Sequence, residues 1–407
     1  MQLRYPALRA SFWRRPHGRR SAVTASAAIL ALGVAACGGS GSGTVSHQSA
    51  SLASNDTSSA SVTQGVAAAS NAVQPFLTEP QSLVGLRSLP SAPPKKTVGI
   101  VSCSEPLCQL LAGYLKDAVS ALGWKSDVVI ATATNPGQAI QQLIDAGVNY
   151  IAENAYDANT FTPQMLELKQ KKIPLFEIAS TDPADGPGNG IYADISGGTS
   201  QYQWGEIETD WAIAQSKGHA NILDVNIPSY PVLEAQANGE RAAVKQNCPH
   251  CQFHALNVTV NDLETNAIPG QVVSYLQSNP GINYLHFTDP QDSNGIVPAL
   301  RAAGLLGKVK IYGSSAQAAQ FAQVATGQEA AWQADPQPQA FWAVADQMAR
   351  VATRSWSAPE AAKDALVPWF LVTDKARAAT FGKSTQPYPW AGPAGYQTTY
   401  KHLWNVG

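Results

Sequence analysis

From residue 97 onward, short apolar runs alternate with segments whose apolar residues recur every three or four positions. Val98-Gly99-Ile100-Val101 reads as a strand buried on both faces. Leu110, Leu111, Tyr114, Leu115, Val119 and Leu122 then fall at helical spacing. A second strand is expected over 127–131. Asn135-Pro136 caps and opens a helix that runs to Ala146 and ends at Gly147. Tyr150-Ile151-Ala152 is a third strand, 161–171 a helix, and 173–178 a fourth strand. After a break at 182–190 the alternation resumes. Helices are predicted over 201–217, 233–246, 263–278 and 295–303, with strands over 221–225, 252–257, 284–287 and 309–312. This spacing means βαβ units and parallel sheets. Its repetition predicts an α/β protein of two doubly wound parallel-sheet lobes.

The first 95 residues follow another pattern. Arg4, Arg9, Arg14, Arg15, Arg19 and Arg20 precede an Ala-rich apolar run over 21–36. A basic start, a short apolar stretch and small residues before a cut site make a secretory signal. At about 16 residues the run falls short of the roughly 20 that a spanning helix needs. Val34-Ala35-Ala36-Cys37 resembles the lipobox of bacterial lipoproteins. That resemblance implies diacylglycerol on the Cys37 thiol, cleavage before it, and a mature protein anchored by lipid outside the cytoplasmic membrane. General and twin-arginine export both remain open. Residues 37–95, rich in Gly, Ser, Ala, Thr and Pro, read as a disordered tether reaching on the order of 40 Å.

Composition narrows the partners. A net charge of −2 with 14% charged residues leaves no basic patch for nucleic acid. Besides Cys37 there are four cysteines, Cys103, Cys108, Cys248 and Cys251, an even number that reads as two disulfides in an exported protein. Of the three possible pairings, Cys103–Cys108 and Cys248–Cys251 need the least assumption about tertiary structure. Cys248-Pro249-His250-Cys251 with His254 also invites a zinc reading, which the oxidising compartment disfavours; no metal or other cofactor is expected. A redox role for the Cys-x-x-Cys is a further possibility. No Gly-x-Ser-x-Gly elbow or zinc-protease His pair appears, and Gly186-Pro187-Gly188-Asn189-Gly190 lacks the Lys-Ser/Thr of a phosphate loop. An enzyme is therefore not expected.

The order of segments carries a resemblance. It runs from the strand at 97–101 through Glu105-Pro106-Leu107, Asn135-Pro136-Gly137-Gln138-Ala139-Ile140 and Ala146-Gly147-Val148-Asn149-Tyr150-Ile151. Lys172-Ile173-Pro174-Leu175, Ile311-Tyr312-Gly313, Ala334-Asp335-Pro336 and the tail 396–404 follow. Together they resemble the type I, ribose-binding-like solute-binding proteins of sugar ABC transporters, with a tail similar to actinobacterial members. The resemblance implies two lobes joined by a three-strand hinge, ligand in the cleft between them, an ABC permease as partner, and a monomer. It assigns 96–208 and 335–367 to the first lobe, and 209–334 and 368–407 to the second lobe and tail.

The resemblance places ligand contacts at Ser104, Glu105, Asn154, Ser180, Tyr230, Glu234, Asp289, Ser315, Trp332 and Asp335. Most depart from the family's sugar-binding side chains. Glu105, Pro106, Leu107 and Cys108 stand where an aromatic stacking pair is usual. Ala179-Ser180 replaces an Asp-Arg pair, Glu234 an Arg, and Ser314-Ser315 a Phe-Asp. Asn154 keeps the family's residue, with an amide that both donates and accepts, and Thr288-Asp289 stands where the family has Asn-Asp. Trp332 and Tyr230 are the aromatics expected in the cleft, whereas Trp204 and Trp211 are expected in the core. Glu105, Glu234 and Asp289 would favour a neutral polyol or a cationic solute over an anion. Two other outputs are open: a membrane-tethered sensor for a receptor kinase, and an extracellular enzyme.

Overall fold

A computed structural model describes residues 53–83, 85–103, 106–132 and 135–407. The chain enters through α1 (Ala53–Val73). The first sheet follows, with β1 (Thr97–Cys103), β2 (Lys125–Ala131), β3 (Tyr150–Asn154), β4 (Leu175–Ile178) and β5 (Ile191–Ile195). All are parallel, in the order β2-β1-β3-β4-β5. Its connecting helices are α2 (Pro106–Ala121), α3 (Pro136–Asp145) and α4 (Thr162–Lys171). The central positions of β1 are buried on both faces, as its unbroken apolar run predicts. Asn135 caps α3 by accepting from the Gln138 amide at 3.3 Å, with Pro136 in the first turn.

The second sheet contains β6 (Asn221–Asn226), β7 (Gln252–Asn257), β8 (Tyr284–Phe287), β9 (Lys310–Gly313), β10 (Ala331–Ala334) and β11 (Phe370–Val372). Their order is β11-β10-β9-β8-β6-β7, and only β11 is antiparallel. Its helices are α5 (Gly198–Ser216), α6 (Pro231–Asn247), α7 (Val260–Glu264), α8 (Ile268–Ser278), α9 (Ile296–Ala302) and α10 (Ala318–Thr326). Then come α11 (Gln337–Ala352), α12 (Ala358–Asp364), α13 (Lys375–Phe381) and α14 (Tyr396–Leu403). Both sheets repeat one winding, so the architecture is two doubly wound α/β lobes.

The chain passes between the sheets at 196–197, at 335–336 and at 365–369. Residues on either side of each pass bury themselves in different cores: Ile195 in the first and Trp204 in the second, Ala334 in the second and Ala340 in the first, Val367 in the first and Phe370 in the second. The first pass precedes α5, so Trp204 and Ile207 belong with the second sheet rather than with the lobe expected to run to residue 208.

Two terminal segments add further passes. The stretch expected to be a disordered tether contains α1, whose Ala69 and Val73 are buried against α5 and α6 beside Trp204, Trp211 and Cys248. A Cβ on Gly65 would fall 2.0 Å from the Asn247 carbonyl oxygen. The small residues that read as flexible are the ones that let this helix lie close. Further on, Leu83, Leu86 and Leu89 pack on the first core. The tail, expected with the second lobe, divides between the two. Trp390 joins the second core, but Tyr388, Tyr400 and Trp404 join the first. There Trp404 stacks on Trp342 with ring centroids 5.4 Å apart and its Nε1 donates to Asp346 at 2.8 Å.

Candidate functional site at the strand ends

In a doubly wound sheet the strand order reverses on either side of the first strand, and loops diverge there to leave a crevice at the carboxyl ends. Here the reversals lie between β1 and β3 and between β6 and β8. The carboxyl ends of β5 and β10 lead directly into two of the interlobe passes. Ala179, just past β4, touches both the first and second cores, so the strand ends and passes form one region.

Four non-glycine residues at strand ends here hold positive φ: Ala155 (72°), Ala179 (55°), Ser196 (55°) and Ser315 (52°). Such residues each cost on the order of 1–2 kcal/mol and persist where the surroundings demand a particular loop path.

On the first lobe, Asn154 ends β3 and lines a cavity of about 10 Å³ with Cys108, Glu153, Ile178 and Phe341. Cys108 is disulfide-bonded to Cys103, with Cα atoms 5.4 Å apart. Ser104 and Glu105 lie outside the described residues, as does Cys37. Ser180 is buried, and its Oγ donates to Glu177 Oε2 at 2.7 Å while its amide donates to Asp194 Oδ1 at 3.2 Å.

Those partners belong to a feature the sequence reading missed. Glu153, Glu177 and Asp194 are register neighbours on β3, β4 and β5. Asp157 and Asp182 join them from the following loops, where Thr181 donates to Asp157 at 2.9 Å and Ala158 to Asp182 at 2.6 Å. Among the described residues none of the five pairs with Lys, Arg or His. Burial, and then the neighbouring carboxylates, push Glu177 up to about 9 against the Ser180 hydrogen bond. Burial likewise raises Asp194 to about 8 and holds Glu153 well above the carboxylate range, Glu177 adding to the latter. The signal was present as a carboxylate directly after the apolar run Tyr150 to Ala152 and another inside the otherwise apolar Leu175 to Ile178.

On the second lobe, Tyr230 precedes the first turn of α6 and packs against the core there. Glu234 is half-exposed, lies 2.8 Å from Arg241, and accepts from Asn226 Nδ2 at 3.1 Å. Arg241 is thus an ion-pair partner for the carboxylate that was expected to help select a solute. Asp289 follows β8 and accepts from the Gln291 amide at 2.7 Å. Ser315 Oγ donates to Asp335 Oδ2 at 2.8 Å, and Gln337 Nε2 donates to the same oxygen at 2.6 Å. Burial raises Asp335 to about 6, held back by those two hydrogen bonds.

Trp332 is not a cleft residue. It is fully buried in the second core, on the same face of β10 as Ala334, and its Nε1 donates to Glu329 at 2.6 Å. The two-residue period of the strand turns it inward. Trp204 and Trp211 are core residues, as expected. Both local disulfides are formed, so the zinc reading of Cys248-Pro249-His250-Cys251 loses its thiolates. Tyr388 of the tail enters the region unforeseen: buried, hydrogen-bonded to the Gln317 side chain, and within electrostatic reach of Asp289, Asp335 and Tyr114.

A family described as a periplasmic binding protein domain matches residues 102–354. No curated protein sequence matches the chain. Among solved structures, a carbohydrate transporter from Acidothermus cellulolyticus in complex with myo-inositol is similar at a TM-score of 0.57 and 17% identity, over 71% of this chain and 98% of that one. An ABC transporter solute-binding protein from Mycobacterium smegmatis with bound glycerol gives 0.59 and 19%, over 72% and 99%. The fructose-binding periplasmic domain of a hybrid two-component system gives 0.58 and 16%, over 70% and 93%.

Proposed function

Because the chain belongs to the periplasmic binding protein domain family, we propose that it is an extracytoplasmic solute-binding protein, lipid-anchored at Cys37, that delivers a small polar solute to an ABC permease. Family membership makes it a binding protein rather than an enzyme. The observation that carries the reading is the pair of reversal points, one per sheet, set beside interlobe passes. Lobes joined in this way can close on a solute by hinge motion.

The residues proposed to meet the solute are Asn154, Tyr230, Asp289, Ser315 and Asp335, with Ser104 and Glu105 on the first loop. Ser180 acts behind them by holding Glu177, Glu234 stays beside them in its pair with Arg241, and Trp332 leaves the set. Acceptors dominate, so the solute class is a neutral polyol or sugar-like molecule, or a cationic one. The myo-inositol and glycerol complexes of similar folds support the neutral alternative. A thermal-shift panel of polyols, sugars, amines and sugar acids tests this. A true ligand at 100 times its Kd stabilises by about 2.7 kcal/mol, and Asn154→Ala weakens that ligand about tenfold or more. Stabilisation by no member, or by sugar acids alone, defeats the proposal.

The fructose-binding sensor domain has the same fold, which supports a second reading: a tethered sensor. A permease and ATPase gene pair beside this gene favours transport, and a receptor kinase favours sensing.

A further inference from the structure

One polar centre in the second lobe takes no part in the strand-end site. Asp224 on β6, Glu240 on α6, His286 on β8 and Glu208 on α5 meet there, all at 0% exposure. His286 Nδ1 lies 3.0 Å from Asp224 Oδ1 and 3.1 Å from Glu240 Oε1, and its Nε2 lies 2.8 Å from Glu208 Oε2. Asp224 and His286 are register partners on neighbouring parallel strands. Glu208 also accepts from Ser314 Oγ at 2.6 Å and Gln236 Nε2 at 3.3 Å.

The centre is short of positive charge and of donors. Three carboxyl groups share one imidazole, and among the described residues no Lys or Arg pairs with them. Beyond the His286 ring, Glu240 has no donor, and Glu240 Oε2, Asp224 Oδ2 and Glu208 Oε1 have none at all. Leaving buried charged groups so placed costs several kcal/mol per group.

The arrangement matches a coordination shell. One ligand atom each from Asp224, Glu240 and His286 lies within 4.8 Å of the others. The 3.0 and 3.1 Å separations from Nδ1 are close to those of donors bound at about 2.0–2.2 Å to one ion. Glu208 stands on the far ring nitrogen, where metal-binding histidines usually meet a carboxylate that fixes tautomer and orientation. We propose that Asp224, Glu240 and His286 bind one divalent first-row transition-metal ion in the core of the second lobe, with Glu208 holding the imidazole from behind. One nitrogen and two carboxylate oxygens suit Zn²⁺, Mn²⁺ or Fe²⁺ better than Ca²⁺, which takes oxygen shells, or Cu⁺, which takes sulfur. The ion gives the carboxylates a second cationic partner and offsets two of three negative charges. Complete burial makes it a structural ion tying α6 to β6 and β8.

The test uses the full chain purified without chelator, independently of any solute. Mass spectrometric metal analysis is expected to find about one ion per chain. Unfolding in chelator and refolding without metal lowers Tm, and refolding with Zn²⁺, Mn²⁺ or Fe²⁺ restores it. His286→Gln loses the ion, and Glu208→Gln weakens it about 10- to 100-fold. A metal-free chain that also takes up none of the three ions on refolding overturns the proposal. So does an ion kept at full occupancy in folded His286→Gln protein, because it would then sit elsewhere. If that variant does not fold, uptake by the refolded natural chain decides.

Discussion

Glu177 takes the Ser180 hydroxyl on one oxygen and has no donor on the other, at 0% exposure. Its folded pKa of about 9 and that of Asp194, about 8, lie above those of an unfolded chain. The native state therefore keeps protons that the unfolded chain releases, and this contribution to stability is complete below about pH 4 and is lost as pH rises toward 9. Glu329 and Asp292, raised by burial to about 8 and about 9, act in the same direction. Melting temperature measured by scanning fluorimetry is expected to fall between pH 6 and 9. Glu177→Gln, which keeps an acceptor for Ser180, should raise Tm by a few degrees at pH 9, the shift that about 1 kcal/mol produces, and flatten the slope. A variant whose Tm falls in parallel with the natural protein would show that Glu177 does not hold the proton. Asn154 illustrates the opposite situation, a strand-end residue identifiable from type and position alone. Trp332 has an equally suggestive position, but the pleat of β10 sends it into the core.

At the level of elements, the packing of α5 on α6 decides where the polar groups of the second lobe meet. A Cβ on Gly205 would fall 2.1 Å from the Gln236 carbonyl oxygen, and one on Gly239 would fall 2.0 Å from that of Tyr202. The helices approach backbone to backbone at these two points, and this brings Glu208, Gln236 and Glu240 into one buried centre. Gly239→Ala has to push the helices apart and should cost about 1–3 kcal/mol, read as a lower urea midpoint at unchanged slope. An unchanged midpoint would mean that the crossing yields without strain. The Cys248–Cys251 disulfide closes the end of α6 and places Cys248 against α1 and α5. Helices α2, α3 and α4 were legible because period and caps are local. The role of α1 was not, because Ala, Ser and Gly describe both a flexible linker and a close-packed helix.

Over the described chain, the segment after α1 and the C-terminal tail act as straps across the two lobes. The segment after α1 runs from Phe76, which packs on Trp369, to Leu89, whose amide donates to the Leu403 carbonyl at 2.8 Å. Glu79 pairs with Arg377 and accepts from Trp390 Nε1 at 3.1 Å. The tail returns through Tyr388 to Trp404, and Asn405 Nδ2 donates back to the Leu89 carbonyl at 3.0 Å. Trp404→Ala removes the stack on Trp342 and the bond to Asp346, and should destabilise by about 3–5 kcal/mol. Calorimetry would resolve whether the first lobe then melts separately; a Tm unchanged from the natural protein would refute the strap. The sequence by itself determined two doubly wound lobes and favoured the two local disulfides, because period, caps and cysteine spacing are written in neighbouring residues. Only the tertiary structure decided that Trp332 is core, that Arg241 pairs with Glu234, that five carboxyl groups gather at one sheet end, and that the segment after α1 and the C-terminal tail each pack on both lobes. Each of these depends on which distant side chains share a volume, and the pattern along one segment carries no information about its neighbours in space.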